Sequence, residues 1–272
     1  MDKDEEVAKL DRMMERMAPK LAANAKKLPG YKKCINEIEG AELEDNSVTK
    51  SNALTRAYYR FNLAEKRVME TLISKVNPRI SRESISKVEV TAIDFAKCYG
   101  IPPTLAYRQL SAASDKLLTK FITIPISENK KMKINLTSSA LYEKDSGKIT
   151  ITLNEMAKPH LLNLSKQFTK YPVKSVVNFK SSYTWRLYEI IISWAKDPKK
   201  ASGKIEGWFK VGVEEIRDML GAPKSYRWSN LKRKALNVAI DEIKTKAGIV
   251  IELEEEKSGK SVASVKFTFF QI

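Results

Sequence analysis

The stretch that decides the fold occupies residues 225–270 and reads SYRWSNLKRKALNVAIDEIKTKAGIVIELEEEKSGKSVASVKFTFF. Its first half predicts a helix, because a rotation of about 100° per residue gathers its apolar side chains on one arc. That arc consists of Leu231, Ala235, Ala239 and Ile243, with Leu236 and Ile240 at its edge. The second half predicts a two-stranded hairpin that turns at Ser258-Gly259-Lys260.

The opposite arc of this helix is basic and amide-rich. It carries Arg227, Asn230, Arg233, Lys234 and Asn237, and Ser225, which we also predict to contact DNA, lies just before it. Arginine can donate two hydrogen bonds to guanine, and asparagine can pair in the same way with adenine. A solvated basic face is the alternative interpretation. We assign Arg227, Asn230 and Arg233 to base edges, and Lys234 and Asn237 to phosphate.

The composition favours a polyanionic partner. The chain has 272 residues, 43% of them apolar, with 49 Lys+Arg against 33 Asp+Glu, a net charge of +16 and a pI near 9.6. Residues 1–46 hold 9 basic and 11 acidic side chains, so the positive excess lies in residues 47–272. Nucleic acid and an acidic membrane surface are the two candidate partners.

Signatures of other protein classes are weak. Cys34 and Cys98 are far apart, which predicts a reducing cytoplasm, and no apolar run approaches the roughly 20 residues of a membrane span. His160 is the single histidine, so multi-histidine metal sites are excluded. Gly259-Lys260-Ser261 resembles the last three residues of a phosphate-binding loop, but Glu254 occupies the position where that motif needs glycine. We predict no enzyme activity, metal or cofactor.

The N-terminal segment, residues 1–46, has a heptad-like pattern. Its apolar positions are Val7, Leu10, Met14, Met17 and Leu21. Pro19 interrupts that pattern, so the segment is predicted either to dock on its own domain as an amphipathic helix or to dimerise. Residues 40–50 are predicted to be a polar linker.

Helices, short strands and hairpins then alternate. In the first half we predict two helices within 51–76, a strand at 86–90, helices at 91–100 and 104–120, strands at 121–126, 131–143 and 149–153, and a helix from 154 towards 165. In the second half we predict a helix at 181–195, a strand at 207–211 and a helix at 213–221, ahead of the stretch quoted above.

The same order of elements therefore occurs twice, and residues repeat with it. Arg67-x-x-Glu70-x-x-Ile73-Ser74 matches Arg186-x-x-Glu189-x-x-Ile192-Ser193, and both hairpins turn at Ser-Gly-Lys, at 146–148 and 258–260. A helix-turn-helix followed by a hairpin is a winged helix. The predicted fold is α+β: tandem duplicated winged-helix domains at 47–168 and 169–272, after the helical extension 1–46.

Further DNA-contacting residues are predicted outside the central helix. Ser182, Tyr183 and Arg186 stand at a predicted helix start, which suits a phosphate, although the serines there could equally serve as caps. Lys257 and Lys260 lie on the second wing and could reach the DNA backbone. Arg108 and Lys116 lie on the first domain's third helix, where Asp115 makes the face less favourable to DNA.

With these motifs in view, residues 47–272 resemble the replication initiators of iteron-containing plasmids. The stretches that carry the resemblance are TKSNALTRAYYRFNLAEKRVMETLISKVNP, SSYTWRLYEIIISW, VEEIRDMLG and SYRWSNLKRKALNVAIDEI with its following hairpin. Where relatives have three consecutive arginines, this chain has Lys232-Arg233-Lys234. Lysine cannot donate in the forked manner of arginine, so the DNA sequence recognised is expected to differ.

The resemblance implies a double-stranded DNA-binding protein of the bacterial cytoplasm. Such monomers bind direct repeats at a plasmid origin, help to open an AT-rich segment, and recruit the host initiator and the replicative helicase. Homodimers, joined through the first winged helix, repress their own gene. Family contacts fall on Arg227 and Arg233. A transcriptional repressor without a replication role is the alternative, whereas a nicking enzyme is disfavoured by the lack of a histidine pair.

Overall fold

Two winged-helix domains follow one another along the chain. The computed structural model describes residues 42–79, 87–196 and 204–272. The predicted heptad segment lies outside these described ranges, except for its last few residues. The α+β class and the tandem arrangement are confirmed.

The first domain begins with a strand and a short helix that lead into its central helix. Its helices are α1 (Asn52–Thr55), α2 (Leu63–Ser74), α3 (Ala92–Tyr99) and α4 (Pro103–Leu117). Its strands are β1 (Ser47–Ser51), β2 (Lys87–Thr91), β3 (Ile122–Ser127), β4 (Lys130–Ile134), β5 (Thr137–Glu143) and β6 (Lys148–Leu153), and β7 (Phe168–Pro172) leads to the second domain.

The second domain is built from fewer elements. Its helices are α5 (Ser182–Trp194), α6 (Val213–Leu220), α7 (Trp228–Leu231) and α8 (Asn237–Ala247), with a π-helical turn at Lys232–Leu236 between the last two. Its strands are β8 (Glu206–Gly212), β9 (Ile249–Ser258) and β10 (Ser261–Gln271). We call residues 228–247 the second recognition helix and α4 the first.

The two domains share one sheet topology. Strand order is β2-β6-β5 in the first and β8-β10-β9 in the second, antiparallel throughout. In each sheet the strand before the helix-turn-helix pairs with the second strand of the wing. The repeated sequence motifs therefore occupy equivalent places in two equivalent folds.

Local signals explain where the helices begin and end. Asn62 and Glu65 form the predicted capping box at the start of α2, with hydrogen bonds of 2.9 and 3.0 Å. Thr91 accepts a bond from the backbone of Asp94 and caps α3. Gly100 and Gly221 end α3 and α6 in the left-handed region, at φ 58° and 66°.

Three predicted elements are wrong. Part of the predicted linker, residues 47–50, is strand β1, which pairs with β7, a strand that the sequence did not indicate. The single strand predicted at 131–143 is two strands, β4 and β5, which belong to different sheets. The helix predicted from 154 is only a 3-10 turn at Lys158–His160, and Pro159 removes a helical donor there.

A buried cluster of polar side chains joins the two domains. We call it the junction cluster, and its members are Lys50, Tyr59, Lys66, Glu70, Tyr171, Trp185, Arg186 and Glu189. Glu189, on α5, accepts from Lys50 at 2.5 Å, from Lys66 at 2.8 Å and from Arg186 at 2.8 Å. Glu70, on α2, accepts from both lysines and from the Tyr171 hydroxyl.

The cluster holds three cations against two carboxylates. Burial alone would raise the pKa of Glu189, but Lys50, Lys66 and Arg186 outweigh burial and hold that pKa well below its usual range. Burial, reinforced by Glu189 and Glu70, raises the pKa of Tyr171 well above its ordinary value. Tyr171 is therefore neutral, and its hydroxyl donates a hydrogen bond towards the carboxylates, 2.5 Å from Glu189 and 3.2 Å from Glu70.

Replacing Glu189 with alanine should lower the free energy of unfolding by about 3–5 kcal/mol, because three buried cations would share one carboxylate. Glu206→Ala is the matched control, since Glu206 pairs with Lys196 on the exposed surface, and its loss should stay within about 1 kcal/mol. Urea unfolding measures both variants. Equal losses would mean that the junction cluster adds no more than an exposed ion pair.

Candidate nucleic-acid interface

The second recognition helix separates its apolar and basic residues as the sequence predicts. The side chains of Leu231, Ala235, Leu236, Ala239 and Ile243 are fully buried. Arg227, Arg233, Lys234 and Asn237 are exposed, and Asn230 is half-buried. The exposed side chains share one face, so this helix can present arginine and amide groups to a partner while its back packs on the domain.

The helix is not a regular α-helix along its whole length. Its π-helical turn spans Lys232–Leu236, and such a turn takes up one extra residue. In a regular helix Leu236 would lie about 140° from Leu231, at the edge of the apolar arc. Both side chains are fully buried here, so the turn brings Leu236 inward. Sequence periodicity at a fixed angle could not reveal it.

The three basic residues within the π turn have different surroundings. Lys232 is half-buried and forms an ion pair of 2.5 Å with Glu255 of strand β9. Lys234 lies 5.4 Å from the centre of the Tyr226 ring. Arg233 is exposed. Lys232 is therefore paired with the wing, whereas the side chains of Arg233 and Lys234 lie at the surface.

An acidic residue anchors the second recognition helix to the domain's first helix, and sequence reasoning missed it. One carboxylate oxygen of Glu242 accepts from the backbone N–H of Lys180 at 2.7 Å, and the other accepts from the Thr184 hydroxyl at 2.6 Å. The carboxylate thus occupies the N-terminus of α5, where the helix dipole favours an anion. The available signal was an acidic side chain within a basic helix.

This anchor changes the interpretation of the predicted phosphate site at the start of α5. Ser182 and Tyr183 are half-buried there, but the anion at that helix start is the protein's own Glu242. Arg186 is only 3% exposed and donates to Tyr59, to Glu189 and to the carbonyls of Ala57 and Met219. The prediction that Arg186 contacts phosphate is wrong, because its guanidinium is buried and already donates to Tyr59, Glu189 and two backbone carbonyls.

The second wing and the loop before the helix place the remaining predicted residues at the surface. Ser225, Lys257 and Lys260 are exposed, and Gly259 turns the hairpin at φ 60°. The acidic run of β9 is engaged along the sheet, since Glu254 pairs with Lys266 and Glu256 with Lys210. Those pairs leave the lysines at the tip of the wing as its positive end.

The first recognition helix offers a weaker basic face. Arg108 and Lys116 are exposed, as is Asp115 on the same helix. Lys116 lies 3.6 Å from Glu65 at the start of α2. With one arginine, one engaged lysine and one carboxylate, this face is less suited to an anion than the second recognition helix.

Family comparison matches both domains. A model described as Initiator Replication protein, WH1, matches residues 47–192, and one described as Initiator Rep protein, WH2, matches residues 212–269. This chain belongs to that family of replication initiators. The sequence-based identification of a plasmid initiator with two winged-helix domains is therefore confirmed.

Individual relatives agree with the family. The chain is 25% identical over 250 residues to the PI protein of Escherichia coli, covering 80% of each chain. It is also 25% identical over 182 residues to a replication initiation protein of Escherichia coli, covering 66% of this chain and 55% of that protein. The crystal structure of the Pi initiator protein in complex with iteron DNA has the same fold, with a TM-score of 0.67, 22% identity and coverage of 84% of this chain and 98% of that one.

The described ranges show no sign of a metal site or of a membrane-spanning helix. Within residues 42–79, 87–196 and 204–272, no three His, Cys, Asp or Glu side chains are grouped so that they could hold a metal ion. No helix in the same ranges is both long and apolar enough to cross a membrane.

Replacing Glu242 with alanine should loosen the second recognition helix and lower the free energy of unfolding by about 1.5–3 kcal/mol, because two hydrogen bonds to a carboxylate are lost. Asp241→Ala is the matched control. It removes the same charge from the neighbouring exposed position. Chemical unfolding compares the two variants, and indistinguishable curves would show that Glu242 contributes charge alone.

Proposed function

We propose that this initiator binds directly repeated DNA sites at a plasmid origin through both winged-helix domains. The observation that carries the proposal is the exposed Arg227–Arg233–Asn237 face on a helix whose back is buried and whose flank is anchored by Glu242. The Pi initiator, which has the same fold, was crystallised with iteron DNA. That relative supports the same class of partner here.

Recognition in this proposal divides between bases and backbone. Arg227 and Arg233 donate to guanine, and Asn230 pairs with adenine, in the major groove. Lys234 and Asn237 bind phosphate, and Lys257 and Lys260 reach the backbone from the wing. Backbone contacts set the register of the protein on the duplex, whereas base contacts set the sequence preference.

The first domain makes the weaker contribution to recognition of the DNA sequence. Arg108 and Lys116 lie on an exposed face, but Asp115 repels phosphate and Glu65 competes for Lys116. We assign this domain to DNA positioning and to the homodimer contact. In the dimeric form the protein represses its own gene.

Origin opening requires no catalytic group in this scheme. Several bound copies bend the DNA, and the strain is relieved where AT-rich, easily deformed steps separate. The opened segment then receives the host initiator and the replicative helicase. The net charge of +16 supports the many phosphate contacts that such an assembly needs, and its affinity should fall steeply with salt.

A footprint of the purified protein on the DNA flanking its own gene, at two salt concentrations, tests the proposal. We expect protection of several evenly spaced direct repeats beside an AT-rich tract, weakened at the higher salt. Protection of a single inverted repeat alone would instead indicate a repressor without a replication role. Salt-sensitive coating with no preferred site would contradict sequence reading by the second recognition helix.

Replacing Arg233 with alanine should weaken binding to the preferred site by about 1–3 kcal/mol and relax the preference at one base pair. Lys246→Ala is the control, because Lys246 is an exposed cation near the end of the same helix. Binding is measured on the preferred site and on duplexes changed at single positions. A uniform loss on every duplex would reassign Arg233 to phosphate.

A further inference from the structure

The junction between the domains is buried, and both domains contribute charged side chains to it. Glu189 of α5 contacts Lys50 of β1 and Lys66 of α2, and all three side chains are at most 1% exposed. Charged hydrogen bonds of this kind tolerate little displacement, since a buried charge that loses its partner is strongly destabilising. The cluster therefore resists both sliding and rotation of one domain against the other.

Two arginines from the duplicated motif reach across this junction in opposite directions. Arg186 of α5 donates to the carbonyl of Ala57 at 2.9 Å, in the segment before α2. Arg67 of α2 donates to the carbonyl of Phe179 at 3.4 Å, in the segment before α5. Helices α2 and α5 thus each hold the segment of chain that leads into the other.

The second helix-turn-helix also touches the first domain directly. Gly221 ends α6 at φ 66°, and a Cβ atom built there would lie 2.4 Å from the carbonyl oxygen of Tyr59. Gly100 ends α3 in the same conformation, at φ 58°, with open space around it. The glycine at 221 therefore permits a close approach of the two domains, whereas its counterpart at 100 serves only its own turn.

Each recognition helix is in turn tied within its own domain, the second to α5 and the first to α2. Glu242 of the second recognition helix is bound at the start of α5 by Thr184. At the start of α2, Glu65 is paired with Lys116 of the first recognition helix and with Lys120 just beyond it. A fixed relation between α2 and α5 thus fixes the relation between the two recognition helices.

We propose that the junction cluster and Gly221 set the spacing and rotational phase at which the two recognition helices meet DNA. The positioning residues would then be Glu189, Lys50, Lys66 and Arg186. They would determine the spacing between the two contacted DNA segments and not the identity of the bases that are recognised. This inference rests on the proposed binding of one duplex by both domains. Inserting one base pair moves the second contact by about 3.4 Å and rotates it by about 35°, which a rigid junction does not follow.

The test compares the preferred repeat with duplexes lengthened or shortened by one base pair between the segments that the two domains protect. The wild-type chain should lose about tenfold or more in affinity at each altered spacing, which is the loss expected for one good base contact. Gly221→Ala should bind the native spacing more weakly and lose less than about threefold at an altered spacing. Gly100→Ala shares the backbone cost and should keep the wild-type ratio.

The ratio of the affinities for the native and the altered spacing distinguishes a positioning role from an effect on protein stability alone. Partial unfolding lowers the active fraction of a preparation equally for both duplexes, so it cancels in the ratio. Glu189→Gln, which keeps the shape but removes the charge, should flatten the spacing profile like Gly221→Ala, and Glu206→Gln at the exposed surface pair should not. Either junction variant that folds is sufficient for the test.

The outcomes separate this inference from the proposed function. A spacing-sensitive wild type whose junction variants keep the same ratio would overturn the inference and leave the proposed function standing. A wild type that binds the repeat equally well at every spacing would overturn the inference as well, since no fixed distance is then being read. A wild type without preference for any repeat would overturn the proposed function itself.

Discussion

The charged junction between the domains is the constraint on which the rest of the structure depends. Lys50, Lys66, Glu70, Arg186 and Glu189 are all buried, and their charges do not balance. Such an arrangement persists only if every donor and acceptor is matched in position, because removing an ion from water costs several kcal/mol. The domain cores, the β1–β7 sheet and the turn at Gly221 all have to place backbone atoms to suit it. Helix propensity and apolar burial build each domain, but the junction decides how the two domains meet.

Local chemistry made much of this fold predictable. The capping box at Asn62, the glycines after α3 and α6, and the duplicated Arg-x-x-Glu motif are all short-range signals, and each lies where the sequence indicated. The apolar arc from Leu231 to Ile243 likewise gave the buried side of the second recognition helix. The predictions that failed concern strand pairing between distant parts of the chain. Strand β7 forms because it pairs with the distant strand β1, and residues 131–143 divide between two sheets.

The candidate site shows the same division. Exposure of Arg227, Arg233, Lys234 and Asn237 follows from periodicity alone. The burial of Arg186 does not, because its partners Tyr59 and Ala57 are more than a hundred positions away in the chain. A helix start with serines suggested an external anion, whereas the protein supplies its own in Glu242. An arginine that recurs in a duplicated motif therefore indicates a repeated internal contact at least as much as it indicates a ligand-binding site.

The imbalance of the junction charges has a consequence for how such proteins can diverge. Tandem domains of similar fold invite the view that either could be exchanged for a homologue with a different DNA preference. Here the first domain brings Lys50, Lys66 and Glu70, while the second brings Arg186 and Glu189. A transplanted second domain without that glutamate would leave Glu70 as the one carboxylate of the junction cluster facing both lysines in a buried interface. Changes to the exposed side chains within residues 225–237 therefore leave the junction intact, whereas the exchange of a whole domain must also reproduce its buried charges.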